Sequence, residues 1–326
     1  MYIRLMSERL AYRTCPLCEA TCGLELRLVD EDVKVIRGDS ENPFSHGFVC
    51  PKGTVLGRLH DDPDRVRAPL IKRDGVHVEA TWDEAFTEIH RRINEVKDRH
   101  GSQALALYIG NPNAHSYQNN LAIRPLAKSL GSPNIFSAST LDQMPKHVSS
   151  GYMFGSPSTI PVPDIDRTDL LVILGANPYE SNGSLATAPD WPGRLEALRS
   201  RRGRVVVVDP RRTKTAENAD QHIPIVPGTD AALLMAIVHV LFDESLVNPG
   251  RLAAHLSGLD EVATAALPFD PKTVGAITGI DSETIRSLAR EIASAERAAV
   301  YGRIGTHTVE FGTIASWAVD VVTALT

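Results

Sequence analysis

The sequence lacks the long apolar segments of a membrane protein. Apolar runs such as residues 170–174 and 205–208 are far shorter than the roughly 20 residues that a membrane span requires. The first fourteen residues contain neither an apolar core of signal-peptide length nor a twin-arginine export signal. We therefore predict a protein without a membrane span that resides in the cytoplasm.

The sequence also lacks an excess of positive charge. Its 326 residues carry a formal net charge of -6, spread along the chain rather than gathered in one block. This distribution argues against a broad basic surface for nucleic acid. A hydrophobic content of 43% is enough for large cores, and the length indicates two or three domains.

Cysteine is scarce, and its placement is informative. Only four cysteines occur, and three of them, Cys15, Cys18 and Cys22, lie within eight residues. Such clustering argues against a disulfide framework and for a metal or cluster site in a reducing compartment.

The fourth cysteine, Cys50, follows in the segment 47–53 after a predicted hairpin of residues 24–29 and 33–36. Three thiolates from one tight loop and one from a later turn suit the four corners of an iron–sulfur cubane. Structural zinc more often uses two separated pairs of ligands, and the spacing alone leaves zinc open. Lys52 would either solvate the surface or tune the potential of a cluster beside it.

The remaining pattern predicts an α/β protein with largely parallel sheets, built on a small β-rich module. We place the cysteine module in residues 1–65, one α/β domain in residues 66–140 continued by 297–326, and a dinucleotide-binding α/β domain in residues 141–296. Thr81 and Glu84 form a predicted capping box at the start of a long amphipathic helix. The strands 169–174 and 204–208 are apolar enough to be buried on both faces.

Polar residues and glycines follow three of the predicted strands. Gly175 and Asn177 follow the first strand, Asp209 follows the second, and Gly228 and Asp230 follow a third strand at residues 223–226. Ligands of parallel sheets bind at these carboxyl ends. The glycine fingerprint GxGxxG is absent after the first strand, so ordinary NAD binding is poorly supported. Asp230 alone would read as a helix cap, but together with its neighbours it favours a nucleotide pocket.

Six segments together resemble the large subunit of the prokaryotic molybdopterin oxidoreductases, which include formate dehydrogenases and periplasmic nitrate reductases. They are CPLCEATCGL, HGFVCPKG, TWDEAF, LGANP, VVVDPRRTKTAENAD and PGTDAALLMA, and their order runs through nearly the whole chain. The resemblance removes zinc as a serious rival. It implies a 4Fe-4S cluster and a molybdenum or tungsten ion held by two molybdopterin guanine dinucleotides.

The resemblance also implies roles for particular residues. Cys15, Cys18, Cys22 and Cys50 would hold the cluster, with Lys52 between cluster and pterin. One guanine dinucleotide would be contacted by the residues that follow the strands: Gly175, Asn177, Asp209, Gly228 and Asp230. The protein would position the cofactor and conduct electrons, while the metal carries out the redox chemistry.

The sequence departs from the family where many relatives supply a cysteine or selenocysteine to the metal. The corresponding segment is residues 139–149, and the ligand position aligns with Val148, which cannot coordinate. Ser149, Asp142 and His147 are alternative ligands, or the metal keeps only oxygen ligands beyond the dithiolenes. This departure argues against formate dehydrogenase or nitrate reductase activity. We take Lys52, His147 and Ser149 as catalytic candidates, although His147 is equally well explained as a buried structural histidine.

The chain is expected to lack the C-terminal domain of the family, which completes the second dinucleotide site. The leading function is an oxidoreductase that acts on a small-molecule substrate and passes electrons to a ferredoxin, a flavoprotein or an iron–sulfur subunit. Two alternatives stay open: an electron-transfer or assembly subunit that keeps the fold and cluster without the metal-pterin, and an inactive truncated product. Retention of Gly175, Asn177, Asp209 and Asp230 favours the first function.

Overall fold

A computed structural model of the chain describes residues 7–110, 113, 116–186 and 188–326. The chain divides between Ala138 and Ser139 into two compact units, and each is described by itself. In the described ranges, no helix combines the length and apolar character that crossing a bilayer would require.

The first unit begins with the cysteine module and continues with a small α/β part. Its elements are β1 (Glu8–Thr14), β2 (Gly23–Val29), β3 (Asp32–Gly38), α1 (Pro51–Thr54), α2 (Leu56–His60), β4 (Leu70–Arg73), β5 (Val76–Glu79), α3 (Trp82–His100), β6 (Leu107–Ile109), α4 (Tyr117–Leu130) and β7 (Ile135–Ser137). Strands β1, β2 and β3 form an antiparallel sheet, which confirms the predicted hairpin and adds β1 to it. A predicted domain boundary near residue 65 stays a prediction.

Helix α3 begins where the capping box predicts. The Thr81 hydroxyl accepts a hydrogen bond from the Glu84 backbone N–H, and the Glu84 carboxylate accepts one from the Thr81 N–H. The helix ends at Gly101, whose φ of +78° suits glycine. Trp82 and Phe86 stack on each other with ring centroids 5.6 Å apart, yet 65% and 59% of their surfaces stay exposed. The apolar face of α3 is therefore largely exposed within this unit.

The second unit is built around one parallel sheet. Its elements are α5 (Ser139–Asp142), α6 (Met144–Phe154), β8 (Leu170–Leu174), α7 (Pro178–Ser181), α8 (Trp191–Ser200), β9 (Arg204–Val208), α9 (Lys214–Glu217), β10 (Gln221–Ile223), α10 (Asp230–Asp243), α11 (Leu259–Ala266), α12 (Pro271–Thr278), α13 (Ser282–Ser294), β11 (Ala298–Gly302), α14 (Ile304–His307) and α15 (Gly312–Leu325). The strand order is β10-β9-β8-β11, and all three pairings are parallel.

Burial of the central strands explains why they are so apolar. Every residue of β8 is buried, and alternate side chains enter two different cores on the two faces of the sheet. Helices α10, α13 and α15 contribute to one core, and Trp191 and Leu195 of α8 contribute to the other. This arrangement confirms the predicted parallel sheet with helices on both sides.

The structure corrects the expected place of residues 297–326. Strand β11 pairs in register with β8, from Ala298 opposite Leu170 to Gly302 opposite Leu174. Helix α15 then packs its buried residues into the same core as α10. These residues therefore belong to the second unit rather than to the domain of residues 66–140, because strand pairing joins them to β8.

The third predicted strand, at residues 223–226, is also shifted. Strand β10 ends at Ile223, and the Val226 N–H donates instead to the carbonyl of Thr278 at 2.9 Å. The chain thus leaves the sheet earlier than the apolar pattern suggested.

Candidate cluster and nucleotide sites

The cysteine loop is short, and a backbone hydrogen bond closes it. The Cys15 N–H donates to the Cys22 carbonyl at 2.8 Å, which brings the two ends of the loop together. Cys15 and Cys22 are buried, Cys18 and Cys50 are half-buried, and all four are free thiols. The loop therefore offers four sulfur ligands without a competing disulfide.

A polar turn brings Cys50 back toward this loop. The Asn42 side chain accepts hydrogen bonds from the backbone N–H and the hydroxyl of Ser45 at 2.9 and 3.1 Å. The buried Ser45 hydroxyl accepts one from the Gly23 N–H at 3.0 Å, next to Cys22. Phe48 and Val49 then pack against the apolar cluster that contains Cys15 and Cys22. Residues 42–49 thus join the two cysteine-bearing segments.

The thiols influence one another electrostatically. Burial raises the pKa of Cys22 to about 11, and the charges of Cys15, Cys18 and Cys50 add to the increase. Burial also raises the pKa of Cys15, while Lys52 acts in the opposite direction. Cys15 and Cys22, whose pKa values are raised, would need nearby positive charge to become thiolates, and the iron of a cluster would supply it.

A cluster and a single metal ion place different demands on the arrangement of the thiols. Among the described residues, no three His, Cys, Asp or Glu side chains are grouped so as to hold one metal ion. A cubane places one thiolate on each of four irons and so accepts thiols that are spread around it. The four free thiols, of which Cys15, Cys18 and Cys50 each act electrostatically on Cys22, are candidates for those four ligands.

We expect Lys52→Gln to lower the reduction potential of the cluster by an amount on the order of tens of millivolts, because it removes a positive charge close to Cys15. Anaerobic redox titration followed by low-temperature paramagnetic resonance measures this shift. Lys34→Gln is the matched control, since Lys34 is half-exposed on β3 and pairs with Asp32 at 2.8 Å. An equal shift in both variants would show that only overall charge matters.

In the second unit, the loops after three parallel strands meet at Gly175. Its N–H donates to the carbonyl of Val208, the last residue of β9, at 3.0 Å. Its carbonyl accepts from the Gly305 N–H at 2.9 Å, shortly after β11. Gly175 has a φ of +56°, and a Cβ there would lie 2.8 Å from the Thr306 nitrogen. Only glycine allows this close approach.

Two carboxylates lie together at the same edge of the sheet. Asp209 follows β9 and accepts a hydrogen bond from the Arg211 N–H at 2.8 Å. Asp230 opens α10 and is 4% exposed. Burial raises the pKa of Asp230 to about 6, and the charge of Asp209 raises it further. Burial likewise raises the pKa of Asp209. Hydrogen-bond donors of a ligand would stabilise both carboxylates in their ionised form.

Asn177 and Gly228 complete the set predicted for this edge. The Asn177 side-chain oxygen accepts hydrogen bonds from the hydroxyl and N–H of the buried Thr215 at 2.7 and 3.3 Å, which fixes the start of α7. Gly228 has a φ of +84° and leads into α10. The bonds from Thr215 thereby hold the loop after β8 against the start of α9.

We expect Asp230→Asn to stabilise the protein prepared without its cofactors. The folded-state pKa is raised, so the folded protein retains a proton that the unfolded chain releases, and stability falls as pH rises from about 4 through about 6. At pH 7 the ionised carboxylate costs up to about 3 kcal/mol, which asparagine avoids.

Urea unfolding at pH 4 and pH 7 measures this effect. Asp260→Asn is the control, because Asp260 also lies in the first turn of its helix but is exposed. If the free energy of unfolding depends on pH in the same way in both variants and in the unmodified protein, the buried Asp230 carboxylate is not the cause.

The catalytic candidates on α6 occupy different surroundings. Ser149 is 2% exposed, and its hydroxyl donates to the Lys146 carbonyl at 3.0 Å and bonds the Ser316 hydroxyl at 2.9 Å. His147 is half-buried, and its Nδ1 bonds the Pro157 carbonyl at 2.7 Å. Val148 is 38% exposed. The Ser149 hydroxyl is therefore used in contacts within and between helices. His147 uses only Nδ1 for its bond to Pro157, which leaves Nε2 as the nitrogen that could contact a ligand. The third candidate, Lys52, lies in the other unit.

The sequence did not point to a group of buried ionisable residues: Lys146, Arg303, His307 and Asp320. Lys146 and Asp320 form an ion pair of 2.5 Å between α6 and α15. Arg303 directly follows β11, a place equivalent to that of Gly175 after β8, but this equivalence becomes visible only when β11 is seen to pair with β8.

Comparisons with known proteins agree with this organisation. The model of the molybdopterin oxidoreductase Fe4S4 domain matches residues 11–61, and the molybdopterin oxidoreductase model matches residues 65–318. The F420-dependent formate dehydrogenase subunit alpha of Methanocaldococcus jannaschii is 28% identical over 98% of this chain and 45% of its own length. A nitrate reductase of Symbiobacterium thermophilum is 30% identical over 88% of this chain and 39% of its own length.

A solved structure shows the same fold. Acetylene hydratase from Pelobacter acetylenicus superposes with a TM-score of 0.80 at 25% identity, over 96% of this chain and 43% of the other. The chain thus spans less than half the length of these relatives. The two family models together cover most of the chain, and they meet at the end of the cysteine module. The chain belongs to the molybdopterin oxidoreductase family, whose members carry a 4Fe-4S cluster and a molybdenum or tungsten pterin cofactor.

Proposed function

We propose that this chain forms the N-terminal portion of a molybdenum or tungsten oxidoreductase that uses a bis-molybdopterin guanine dinucleotide. It would carry out a two-electron oxidation or reduction of a small molecule and pass the electrons through its cluster to a redox partner. The observation that carries the proposal is the sheet edge where Gly175, Asp209 and Asp230 converge, in a chain that also holds a cysteine quartet.

The residues present fit both groups. Cys15, Cys18, Cys22 and Cys50 would hold the cluster through their thiolates, with Lys52 supplying positive charge beside it. When bound, the metal and its dithiolenes supply the redox chemistry.

The sheet edge would hold one guanine dinucleotide. Gly175 lets the loop after β8 pass close to the loop after β11, which would bring the ends of the strands together beside the dinucleotide. Asp209 would accept hydrogen bonds from the ribose, and Asp230 from the N–H groups on the edge of guanine. Asn177 would fix the loop through Thr215, and Gly228 would allow the turn into α10. Donors from the base would also offset the burial of Asp230.

His147 is the better candidate of the two on α6 for contact with metal or substrate. A hydrogen bond from Nδ1–H to the Pro157 carbonyl would hold the ring in the tautomer whose Nε2 is a free acceptor. The Ser149 hydroxyl already bonds the Lys146 carbonyl and Ser316. Val148 at the aligned ligand position favours a metal without a thiolate from the protein.

Analysis of the anaerobically purified full-length protein tests the proposal. We expect iron, molybdenum or tungsten, and about two guanine nucleotides released per metal ion. Asp230→Ala should release less guanine nucleotide while iron content stays unchanged, because the cluster lies in the other unit. Protein that contains iron but neither molybdenum, tungsten nor guanine nucleotide would contradict the proposal. That result would favour an electron-transfer or assembly subunit.

A further inference from the structure

The segment that carries Cys50 is joined to the cysteine loop through the side chain of Ser45. The other three cysteines share one loop, whereas Cys50 follows only after the hairpin of β2 and β3. Ser45 is 4% exposed, and its hydroxyl accepts a hydrogen bond at 3.0 Å from the N–H of Gly23, the residue after Cys22. The same hydroxyl donates to Asn42 Oδ1 at 3.1 Å. Ser45 therefore connects the end of the cysteine loop with the turn that leads to Cys50.

Asn42 fixes the direction of the Ser45 hydroxyl. Its Oδ1 also accepts hydrogen bonds from the backbone N–H groups of Phe44 and Ser45 at 3.1 and 2.9 Å. Because this oxygen takes the hydroxyl proton, a lone pair of the Ser45 oxygen is left for the Gly23 N–H. The asparagine side chain also lies against Gly23, where an added Cβ would come within 2.6 Å of the Asn42 Cβ. The contact thus depends on an acceptor at position 42 and on glycine beside Cys22.

Beyond Ser45, the chain reaches Cys50 mainly by apolar packing. Phe48 and Val49 pack, partly buried, against the apolar group that contains Cys15 and Cys22. Cys50 itself is half-buried at the start of α1. Apolar contacts have little directionality, whereas a hydrogen bond holds its two atoms within narrow limits of distance and angle. The bond between Ser45 and Gly23 therefore restrains the position of the Cys50 segment more sharply than the packing does.

We propose that Ser45 is a positioning residue that keeps Cys50 at the fourth corner of the cluster, so that the cluster retains its fourth iron under oxidation. The inference rests on the proposed assignment of the four cysteines to a 4Fe-4S cluster. Cys15, Cys18 and Cys22 belong to one loop and move together, while Cys50 depends on the Ser45 contact. The iron at Cys50 is therefore the one that leaves when this contact is weakened.

The loss of that iron is a one-electron oxidation, and ferricyanide can serve as the oxidant. When ferricyanide takes one electron from the doubly positive 4Fe-4S core, the core releases one ferrous ion and becomes a singly positive 3Fe-4S core. The Cys50 thiolate loses its iron and takes up a proton from water, and ferricyanide becomes ferrocyanide. The 3Fe-4S product is paramagnetic in this state, whereas the doubly positive 4Fe-4S core is not.

Ferricyanide oxidation of the anaerobically purified holoprotein tests the inference, with low-temperature paramagnetic resonance and iron analysis as readouts. We expect the 3Fe-4S signal to form about tenfold faster in Ser45→Ala than in the unmodified protein, because the buried Gly23 N–H loses its acceptor. The variant should still fold, since the Asp39 N–H keeps its bond to the Gly23 carbonyl at 3.0 Å and the Asp39 carbonyl keeps its bond from the Gly47 N–H at 2.9 Å.

Two variants at Asn42 separate the hydrogen bond from a general loss of structure. Asn42→Asp is the conservative variant, because a carboxylate oxygen can accept the same three hydrogen bonds as Oδ1. It should form the 3Fe-4S signal within about twofold of the unmodified rate. Asn42→Ala removes the acceptor and should behave like Ser45→Ala, so the pair of Asn42 variants gives the same comparison if Ser45→Ala does not fold.

Ser132→Ala is the matched control. Ser132 is a half-buried serine of the same unit, outside the cysteine module. Its hydroxyl likewise accepts a backbone N–H, that of Asn134 at 3.1 Å, and donates to the Leu105 carbonyl at 2.6 Å. Its removal should leave the rate of 3Fe-4S formation within about twofold of the unmodified rate.

Equal rates in Ser45→Ala, Ser132→Ala and the unmodified protein would overturn the inference. Complete loss of the cluster in Ser45→Ala without a 3Fe-4S signal would also overturn it, because the iron at Cys50 would then not be the one released. Absence of iron from the unmodified protein would instead contradict the proposed cluster. The failure of this inference and the failure of the proposed function are therefore distinguishable.

Discussion

Replacing Cys22 with serine is expected to remove the iron–sulfur cluster. Cys22 is buried in the same apolar group as Cys15, and its pKa is raised to about 11, first by burial and then by the other three cysteines. A serine hydroxyl titrates even less readily and is a poor ligand for iron, so three thiolates would have to hold a cubane that four normally hold. Iron content and the paramagnetic signal of the reduced protein should fall to near background.

Lys52→Gln is the control for this experiment, because it changes the same module without removing a sulfur ligand. It should keep full iron content and change only the potential. A Cys22→Ser protein with unchanged iron and an unchanged signal would show that the quartet is not the cluster site. Stoichiometric zinc in the unmodified protein would lead to the same conclusion.

Replacing Lys146 with methionine is expected to destabilise the second unit by about 3–5 kcal/mol, because it leaves the Asp320 carboxylate buried without its partner. Burial already raises the pKa of Asp320 despite the neighbouring ammonium. Without Lys146 that pKa should rise further, so the loss should be larger at pH 8 than at pH 5, where the carboxyl can take up a proton. Urea unfolding at both pH values measures it.

The double variant Lys146→Met/Asp320→Leu tests whether the loss of stability comes from the unpaired carboxylate rather than from lost packing. Replacing both partners with apolar residues of similar size should restore most of the lost stability. Arg297→Met is the matched control, because it breaks the more exposed Arg297–Asp169 pair and should cost less than about 1 kcal/mol. A double variant as unstable as Lys146→Met would contradict the ionic explanation.

Local patterns predicted much of the fold. Strand β8 runs from Leu170 to Leu174 and strand β9 from Arg204 to Val208, close to where the sequence indicated. The capping box set the start of α3 because its hydrogen bonds join residues only three apart. The position of β10 was predicted wrongly. Residues 224–226 do not continue the strand, because the Val226 N–H donates to the carbonyl of the distant Thr278.

The residues of the candidate sites also fall into two groups: those that local sequence predicted and those that depend on distant contacts. The carboxyl ends of β8 and β9 could be located from the sequence, and so could Gly175 and Asp209 beside them. Arg303 occupies an equivalent place after β11, but nothing local indicated that β11 would pair with β8. Ser149 was predicted as a metal ligand because it carries a hydroxyl, but that hydroxyl bonds Ser316 from a distant part of the chain.

The sequence by itself determined the family, the cysteine quartet and the apolar strands of the parallel sheet, because each is encoded by residues close together in the chain. The tertiary structure alone decided that residues 297–326 join the second unit, that Lys146 meets Asp320, and that Arg303 is buried against the Asp142 carbonyl. These features join residues more than a hundred positions apart, and their energies depend on burial. Burial arises only when the sheet and its helices have packed together.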